Sequence, residues 1–144
     1  KAHDRKVKLI LPLDSVTGSS FSNESTIGVT PDVNIPDQCM GLDIGPKTIK
    51  LFSKIIHDSK TIVWNGPMGV FEMSKFEQGT KSIALAVAEA TYKGCFSLIG
   101  GGDSVAAINK YHLEEDVSYV STGGGAMLEL LEGKTLPGVA AILS

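Results

Sequence analysis

Residues 96–104 read Phe-Ser-Leu-Ile-Gly-Gly-Gly-Asp-Ser, a short apolar run that stops at three glycines and continues into an acid and a hydroxyl. The same pattern occurs twice more. An apolar run at 61–64 is broken at 65–69 (Asn-Gly-Pro-Met-Gly), and one at 119–120 is broken at 121–125 (Ser-Thr-Gly-Gly-Gly). Because strand-length apolar runs bounded by glycine are typical of buried strands, the chain contains three strand-to-turn units.

A helical pattern follows each of these turns. Phe76, Ile83, Val87 and Ala90 share one face of a stretch that stops before Gly94. Shorter helices are predicted over 104–111 and over 126–132, the latter stopped by a glycine. Strands that alternate with helices form right-handed βαβ units, so the sequence predicts an α/β fold of the Rossmann-like, three-layer αβα type with a mainly parallel sheet.

The first part of the chain is less regular. Residues 7–13 form an apolar run of strand length, and 14–37 read as a polar loop with one short edge strand at 26–30. A further short strand is predicted at 40–45. A helix is then expected to begin at Pro46, which suits a first helical turn, and to end near Lys60.

Composition excludes several classes of protein. The 144 residues carry 13 basic and 16 acidic side chains and no basic stripe, which argues against a nucleic-acid binder. No apolar run approaches the roughly 20 residues that span a bilayer, so no membrane contact is expected. Cys39 and Cys95 lie far apart without a CxxC pair, which favours a reducing, cytoplasmic location.

The glycine turns predict an anion site. In an open parallel sheet the ligand lies outside the carboxyl ends of the strands, where all three turns fall. Glycine allows close approach to the backbone, and the N-terminus of the next helix offers free N–H groups to an anion. Asp103 is the one carboxylate within the polyglycine turns, and beside a polyphosphate it would hold Mg²⁺. Neither the GxxxxGK[ST] nor the GxGxxG pattern is present, which disfavours a P-loop or a dinucleotide fold.

The motifs together resemble one family. They are 11–14 (Leu-Pro-Leu-Asp), 40–46 (Met-Gly-Leu-Asp-Ile-Gly-Pro), 63–72 (Val-Trp-Asn-Gly-Pro-Met-Gly-Val-Phe-Glu), 99–104, 121–134 and 136–139 (Leu-Pro-Gly-Val). In this order they strongly resemble phosphoglycerate kinase. The resemblance covers nearly the whole chain and corresponds to the last third or so of that family.

The resemblance implies a role for particular residues. The implied nucleotide contacts are Gly41 and Leu42 at the adenine, Asn65 and Pro67 along the ribose and phosphates, Glu72 at the ribose hydroxyls, and Gly101, Gly102, Asp103 and Ser104 at the phosphates. It also implies that Asp103 lies at the metal. The amides of Gly123, Gly124 and Gly125 would face the transferring phosphoryl group and are the implied catalytic groups.

The implied function is glycolytic phosphoryl transfer between 1,3-bisphosphoglycerate and ADP, giving 3-phosphoglycerate and ATP with Mg²⁺. Residues 1–144 would be the carboxy-terminal portion of the nucleotide-binding domain, incomplete relative to the full domain, and the N-terminal substrate domain would be absent. The chain begins at Lys1 without Met. We expect it to be inactive alone, because no Lys or Arg lies within the three turns, and we expect the intact enzyme to be a cytoplasmic monomer.

Other interpretations stay open at this stage. Asp103 could merely cap the following helix, Glu72 could be a solvated acid in a first helical turn, and Trp64 is expected in the core rather than at a ligand. The chain could also be a stand-alone nucleotide-binding module without catalysis. A third alternative is an inert piece, or an interaction domain that pairs through an exposed sheet edge.

Overall fold

A computed structural model describes residues 1–143 of the protein. Its strands are β1 (Ser15–Gly18), β2 (Ile27–Val29), β3 (Met40–Ile44), β4 (Thr61–Asn65), β5 (Phe96–Gly100) and β6 (Tyr119–Ser121). Its α-helices are α1 (Pro46–His57), α2 (Gln78–Tyr92), α3 (Gly102–Lys110), α4 (Gly124–Leu131) and α5 (Pro137–Leu143), with a 3₁₀ turn at Glu114–Asp116. None of the helices in the described range has both the length and the apolar character needed to cross a membrane.

The second half of the chain forms a parallel sheet in the order β4-β5-β6. Helix α2 connects β4 to β5, and α3 connects β5 to β6. The strands end together, because Asn65 pairs with Gly100 and Gly100 pairs with Ser121. The predicted α/β class and the three strand-to-turn units are therefore confirmed, in a sheet that is small.

The first half forms a separate antiparallel sheet in the order β2-β1-β3. The strands expected at 26–30 and 40–45 are present as β2 and β3. Strand β1 lies where the sequence predicts a loop, so that prediction is wrong. Its sequence, Ser-Val-Thr-Gly, contains a single large apolar side chain and no clear alternation, and β1 exists because its backbone pairs with a strand on each side.

Residues 7–13 do not form the strand that their apolar pattern predicts. Val7, Leu9 and Leu11 are each more than half exposed. An extended run becomes a strand only where another strand takes up its backbone hydrogen bonds, and the described residues place no strand beside this one.

The core lies around α2 and the parallel sheet. Val87 and Ile99 are fully buried, and Trp64 is 6% exposed, as expected for a core residue. Phe76 is also fully buried, but it precedes α2 by two residues and is not part of its helical face as predicted. It reaches the interior from the turn that leads into the helix.

Asp14, which lies directly before β1, caps the N-terminus of helix α1. Its carboxylate, 1% exposed, accepts hydrogen bonds from the N–H groups of Lys47 (3.0 Å) and Thr48 (2.9 Å) and from the Thr48 hydroxyl (2.6 Å). These N–H groups have no partner within the helix, and the N-terminus carries a partial positive charge. Burial by itself raises the pKa of Asp14, but the hydrogen bonds from Thr48 and Lys47 outweigh it and hold that pKa below 3.8. The helix begins at Pro46 as predicted and ends at His57, three residues before Lys60.

We expect Asp14→Asn to lower the free energy of unfolding by about 2–3 kcal/mol at neutral pH, because an amide cannot accept all three hydrogen bonds. Urea denaturation measures this. Since folding lowers the pKa of Asp14, its stabilisation is complete above the unfolded value of 3.8 and is lost as the pH falls through the folded value. The difference between wild type and variant should therefore shrink in acid. Asp116→Asn, an exposed acid, is the control, and a difference that persists unchanged in acid would contradict the assignment.

Candidate functional site

The three glycine turns meet at one edge of the parallel sheet. Strands β4, β5 and β6 end in register, and the N–H of Gly101 donates to the carbonyl of Ser121 at 3.1 Å. Helix α3 begins at Gly102 and α4 at Gly124. Two helix N-termini therefore open at the same edge, as the sequence predicts.

The turns are in direct backbone contact. A Cβ on Gly124 would lie 2.5 Å from the Gly101 Cα and 2.6 Å from its nitrogen. Gly101 has a φ of 91°, and a side chain there would collide with the amide of Asn65. Glycine is therefore required at 101 and 124 for the approach of one turn to another.

Ser104 connects the edge to the turn after β4. It is fully buried, and its hydroxyl oxygen accepts the N–H of Gly66 at 2.6 Å. This bond fixes the Asn65-Gly66-Pro67 turn against the first turn of α3. A phosphate contact for Ser104 stays a prediction, and the structure adds a positioning bond that the sequence did not indicate.

The outer side of the edge is open. A Cβ on Gly102 or Gly125 would meet nothing within 4 Å. Asp103 is exposed in the first turn of α3. Gly101 is the N-cap residue and no side chain caps the helix, so the capping alternative for Asp103 is wrong. Within residues 1–143 no group of three His, Cys, Asp or Glu side chains could hold a metal ion, so Asp103 does not belong to a preformed cluster of such ligands.

A cavity of about 340 Å³ lies beside the edge, between β3 and the turn after β4. Gly41 and Leu42 form one wall, and Pro67 and Val70 form the other. Val70 N–H donates to the Leu42 carbonyl at 2.9 Å, which joins the two walls. Three residues that the resemblance implies, Gly41, Leu42 and Pro67, are thus brought together although they are far apart in sequence.

Asp43 is a residue of this cavity that sequence analysis missed. It is 5% exposed, and its carboxylate accepts the N–H of Gly79 at 2.6 Å and of Ile44 at 2.8 Å. Burial raises the pKa of Asp43 to about 6, against the effect of those two donors. An acid between Leu42 and Ile44, in a short apolar strand, was the feature of the sequence that could have revealed it.

Glu72 is not among the residues that line the cavity. It is exposed in the turn between β4 and α2. It is not in a helix, so the alternative of a first-turn helical acid is wrong. Its neighbour Phe71 is held by Lys110 of α3, whose ammonium group bonds the Phe71 carbonyl at 2.5 Å and lies 6.0 Å from the centre of that ring. The same ammonium group pairs with Glu77 at 2.6 Å.

The lysines nearest the turns in sequence are bonded elsewhere. Lys110 bonds the Phe71 carbonyl and Glu77. Lys75 donates to the Ser25 carbonyl at 3.0 Å, and Lys134 pairs with Glu132 at 2.7 Å. The edge therefore offers backbone N–H groups and one carboxylate, and these ammonium groups are bonded to other partners.

Glycine turns at the carboxyl edge of a parallel sheet, next to helix N-termini, are typical of α/β proteins that bind phosphate groups. The model of the family "Phosphoglycerate kinase" matches residues 1–134. Phosphoglycerate kinase of Porphyromonas gingivalis is 55% identical over 142 residues, which cover 99% of this chain and 34% of that protein. The enzyme of Prochlorococcus marinus is 53% identical, with 99% and 35% covered.

Solved structures agree. Phosphoglycerate kinase of Coxiella burnetii superposes with a TM-score of 0.88 at 42% identity, covering 96% of this chain and 35% of that one. The structure from Pyrococcus horikoshii gives 0.75 at 33% identity, with 92% and 32% covered. The chain belongs to the phosphoglycerate kinase family, and it spans about a third of the length of the curated relatives it matches.

Gly124→Ala should lower the free energy of unfolding by about 1–3 kcal/mol, because the added methyl group enters the Gly101 backbone. Gly125→Ala, one residue along, adds the same methyl group to open space and should leave stability unchanged or slightly raised. Urea denaturation of both variants measures the difference. Equal stabilities would show that the turns are not packed against each other.

Lys110→Met should loosen residues 71–77, because it removes the bonds to Phe71 and Glu77. The free energy of unfolding should fall by about 1 kcal/mol, since the Lys110–Glu77 pair is partly exposed. Hydrogen exchange of this segment measures it, with the amides of Phe71, Met73 and Phe76 as reporters. Lys134→Met removes an exposed pair just after α4 and should leave the segment's exchange unchanged. Identical exchange in the two variants would contradict the role of Lys110.

Proposed function

We propose that residues 1–144 are the carboxy-terminal portion of the nucleotide-binding domain of a phosphoglycerate kinase whose N-terminal substrate domain lies outside this chain. The complete protein transfers a phosphoryl group between 1,3-bisphosphoglycerate and ADP, giving 3-phosphoglycerate and ATP in glycolysis. The observation that supports this proposal most directly is the cavity of Gly41, Leu42 and Pro67 directly beside the edge where the glycine turns converge.

The nucleotide lies across both parts of the site. Its base fits the cavity between β3 and Pro67, and its phosphates run along the edge past Asn65 toward Gly101 and Gly102. The first N–H groups of α3 and α4 point outward there with the positive ends of the helix dipoles. Glu72 would reach the ribose hydroxyls from its exposed turn.

Asp103 fits a magnesium site of the kind that is shared with a substrate. Its carboxylate is exposed at the phosphate edge, and the described chain offers no cluster of ligands that would hold a cation without the nucleotide. Mg²⁺ is commonly held by one or two carboxylates, phosphate oxygens and water. When bound, it neutralises charge on the phosphate oxygens.

The remaining task of the chain is to align the reacting groups and to stabilise charge on the transferred phosphoryl group. The acceptor oxygens of ADP and of the carboxylate substrate are already anionic, so no general base is required. Catalysis then depends on alignment and on donors aimed at the charge that develops on the transferred group. The amides of Gly123, Gly124 and Gly125 at the start of α4 take that role. Lys75, Lys110 and Lys134, the lysines nearest the turns in sequence, are bonded to other groups, so we expect the cationic side chains to come from the rest of the protein and residues 1–144 alone to be inactive.

Partners follow from this function. We propose ADP or ATP and the two phosphoglycerates as the bound molecules, and a monomer without nucleic-acid or membrane contacts. A cytoplasmic location stays a prediction.

Asp103→Asn in the full-length protein should lower kcat about a hundredfold or more, because a metal ligand contributes several kcal/mol to charge stabilisation. The Mg²⁺ concentration for half-maximal rate should rise as well. Asp116→Asn, an exposed acid in the 3₁₀ turn, is the matched control and should change neither quantity.

Three results would count against the proposal. An Asp103→Asn enzyme with unchanged kcat at saturating Mg²⁺ would remove the metal assignment. Calorimetric titration with Mg-ADP tests the function itself: binding without any turnover would favour a nucleotide-binding module, and no binding at millimolar nucleotide would favour an inert or interaction domain.

A further inference from the structure

Asp43 occupies the point where three elements of the nucleotide cavity meet. It lies in β3 directly after Gly41 and Leu42, and its carboxylate reaches across to the N-terminus of α2, where Gly79 donates to it. The structure gives Asp43 no ion pair among residues 1–143. Burying a carboxylate without a cation is costly, and here two backbone N–H groups offset part of that cost.

Two glycines are packed around this carboxylate. A Cβ on Gly69, in the turn after β4, would lie 2.5 Å from the Asp43 Cγ. A Cβ on Gly79 would lie 2.8 Å from the same atom. No heavy-atom contact of that kind is tolerated, so both backbones fit directly against the carboxyl group, one from the turn and one from the helix.

The same turn is tied to α2 and to β3 independently. The N–H groups of Met68 and Gly69 both donate to the hydroxyl oxygen of Thr80 in α2, each at 3.1 Å. Val70 donates to the Leu42 carbonyl. Asp43 adds a third connection, because its carboxylate in β3 accepts the N–H of Gly79 in α2. Without that hydrogen bond, β3 would contact the N-terminus of α2 only through the packing of Ile44 against Gly79, and its hydrogen bond to the Pro67 wall would be the one from Val70 in the turn.

We propose that Asp43 is a positioning residue for the nucleotide, which sets the separation of the Gly41-Leu42 wall from the Pro67 wall by anchoring β3 to the N-terminus of α2. The inference rests on the proposed function, because it assigns the cavity to the nucleotide. Asp43 itself does not touch the reacting atoms.

The alternative is that Asp43 contributes to stability and nothing more. Asp14 makes the comparison possible, because it too is a buried aspartate whose carboxylate accepts N–H groups at a helix N-terminus, yet it does not line the cavity. Asp43→Asn and Asp14→Asn each replace a carboxylate by an amide of the same shape. Both should lower Tm, and only the first should alter nucleotide binding.

The test uses the full-length protein with ADP as the titrant in calorimetry, followed by steady-state kinetics. We expect Asp43→Asn to raise the Kd and KM for ADP about tenfold. Its kcat at saturating nucleotide and its KM for 3-phosphoglycerate should stay within about a factor of two of wild type. Asp14→Asn should leave all of these constants unchanged.

Each outcome has one meaning. If Asp43→Asn binds ADP as wild type does, or if both variants lose affinity equally, the positioning role is overturned. If wild type itself fails to bind ADP, the proposed function fails first. Should Asp43→Asn not fold, Gly69→Ala places a methyl group against the same carboxylate from the turn, and the same rise in KM for ADP is expected; an unchanged KM in that variant would overturn the inference.

Discussion

The backbone of Gly124 lies against the backbone of Gly101 with no space for a side chain between them. This contact depends on three parallel strands ending in register, and it determines where the helices that follow begin. Helices α3 and α4 start within one residue of it, so their free N–H groups open toward the same side of the sheet. The candidate phosphate site is a consequence of that packing, since Gly101 and Gly124 permit the turns to touch and the adjacent Gly102 and Gly125 leave the outer side unobstructed.

Two buried aspartates, Asp14 and Asp43, accept N–H groups at a helix N-terminus, and their pKa values shift in opposite directions. Asp14 accepts two N–H groups and a hydroxyl, and its pKa falls below the ordinary value. Asp43 accepts two N–H groups only, and burial raises its pKa to about 6. The difference follows from what offsets the loss of water: Asp14 has a third donor, the Thr48 hydroxyl, and the nearby positive charge of Lys47, and neither kind of group acts on Asp43. Asp14 is therefore a stabilising cap, whereas Asp43 holds β3 against α2 at an electrostatic cost.

The ammonium group of Lys110, the lysine at the end of α3, is engaged within the chain. Lys110 is bonded to Phe71 and Glu77, which fixes the turn that carries Glu72 against α3. An ammonium group committed in this way stabilises the structure and is not available to a phosphate. At the edge, the described chain thus offers backbone amides and the Asp103 carboxylate.

Sequence alone determined the parallel sheet, its three glycine turns and the edge at which they meet, because strand and helix periods are local and the carboxyl ends of parallel strands must share an edge. It also placed Trp64 in the core. Tertiary structure decided what depends on distant partners. Strand β1 has almost no apolar pattern and exists through pairing on both sides, whereas the apolar run at 7–13 is not a strand because the described chain offers it no partner. In the same way, the carboxylate of Asp43 acquires its role only when Gly69 and Gly79, remote in sequence, pack against it.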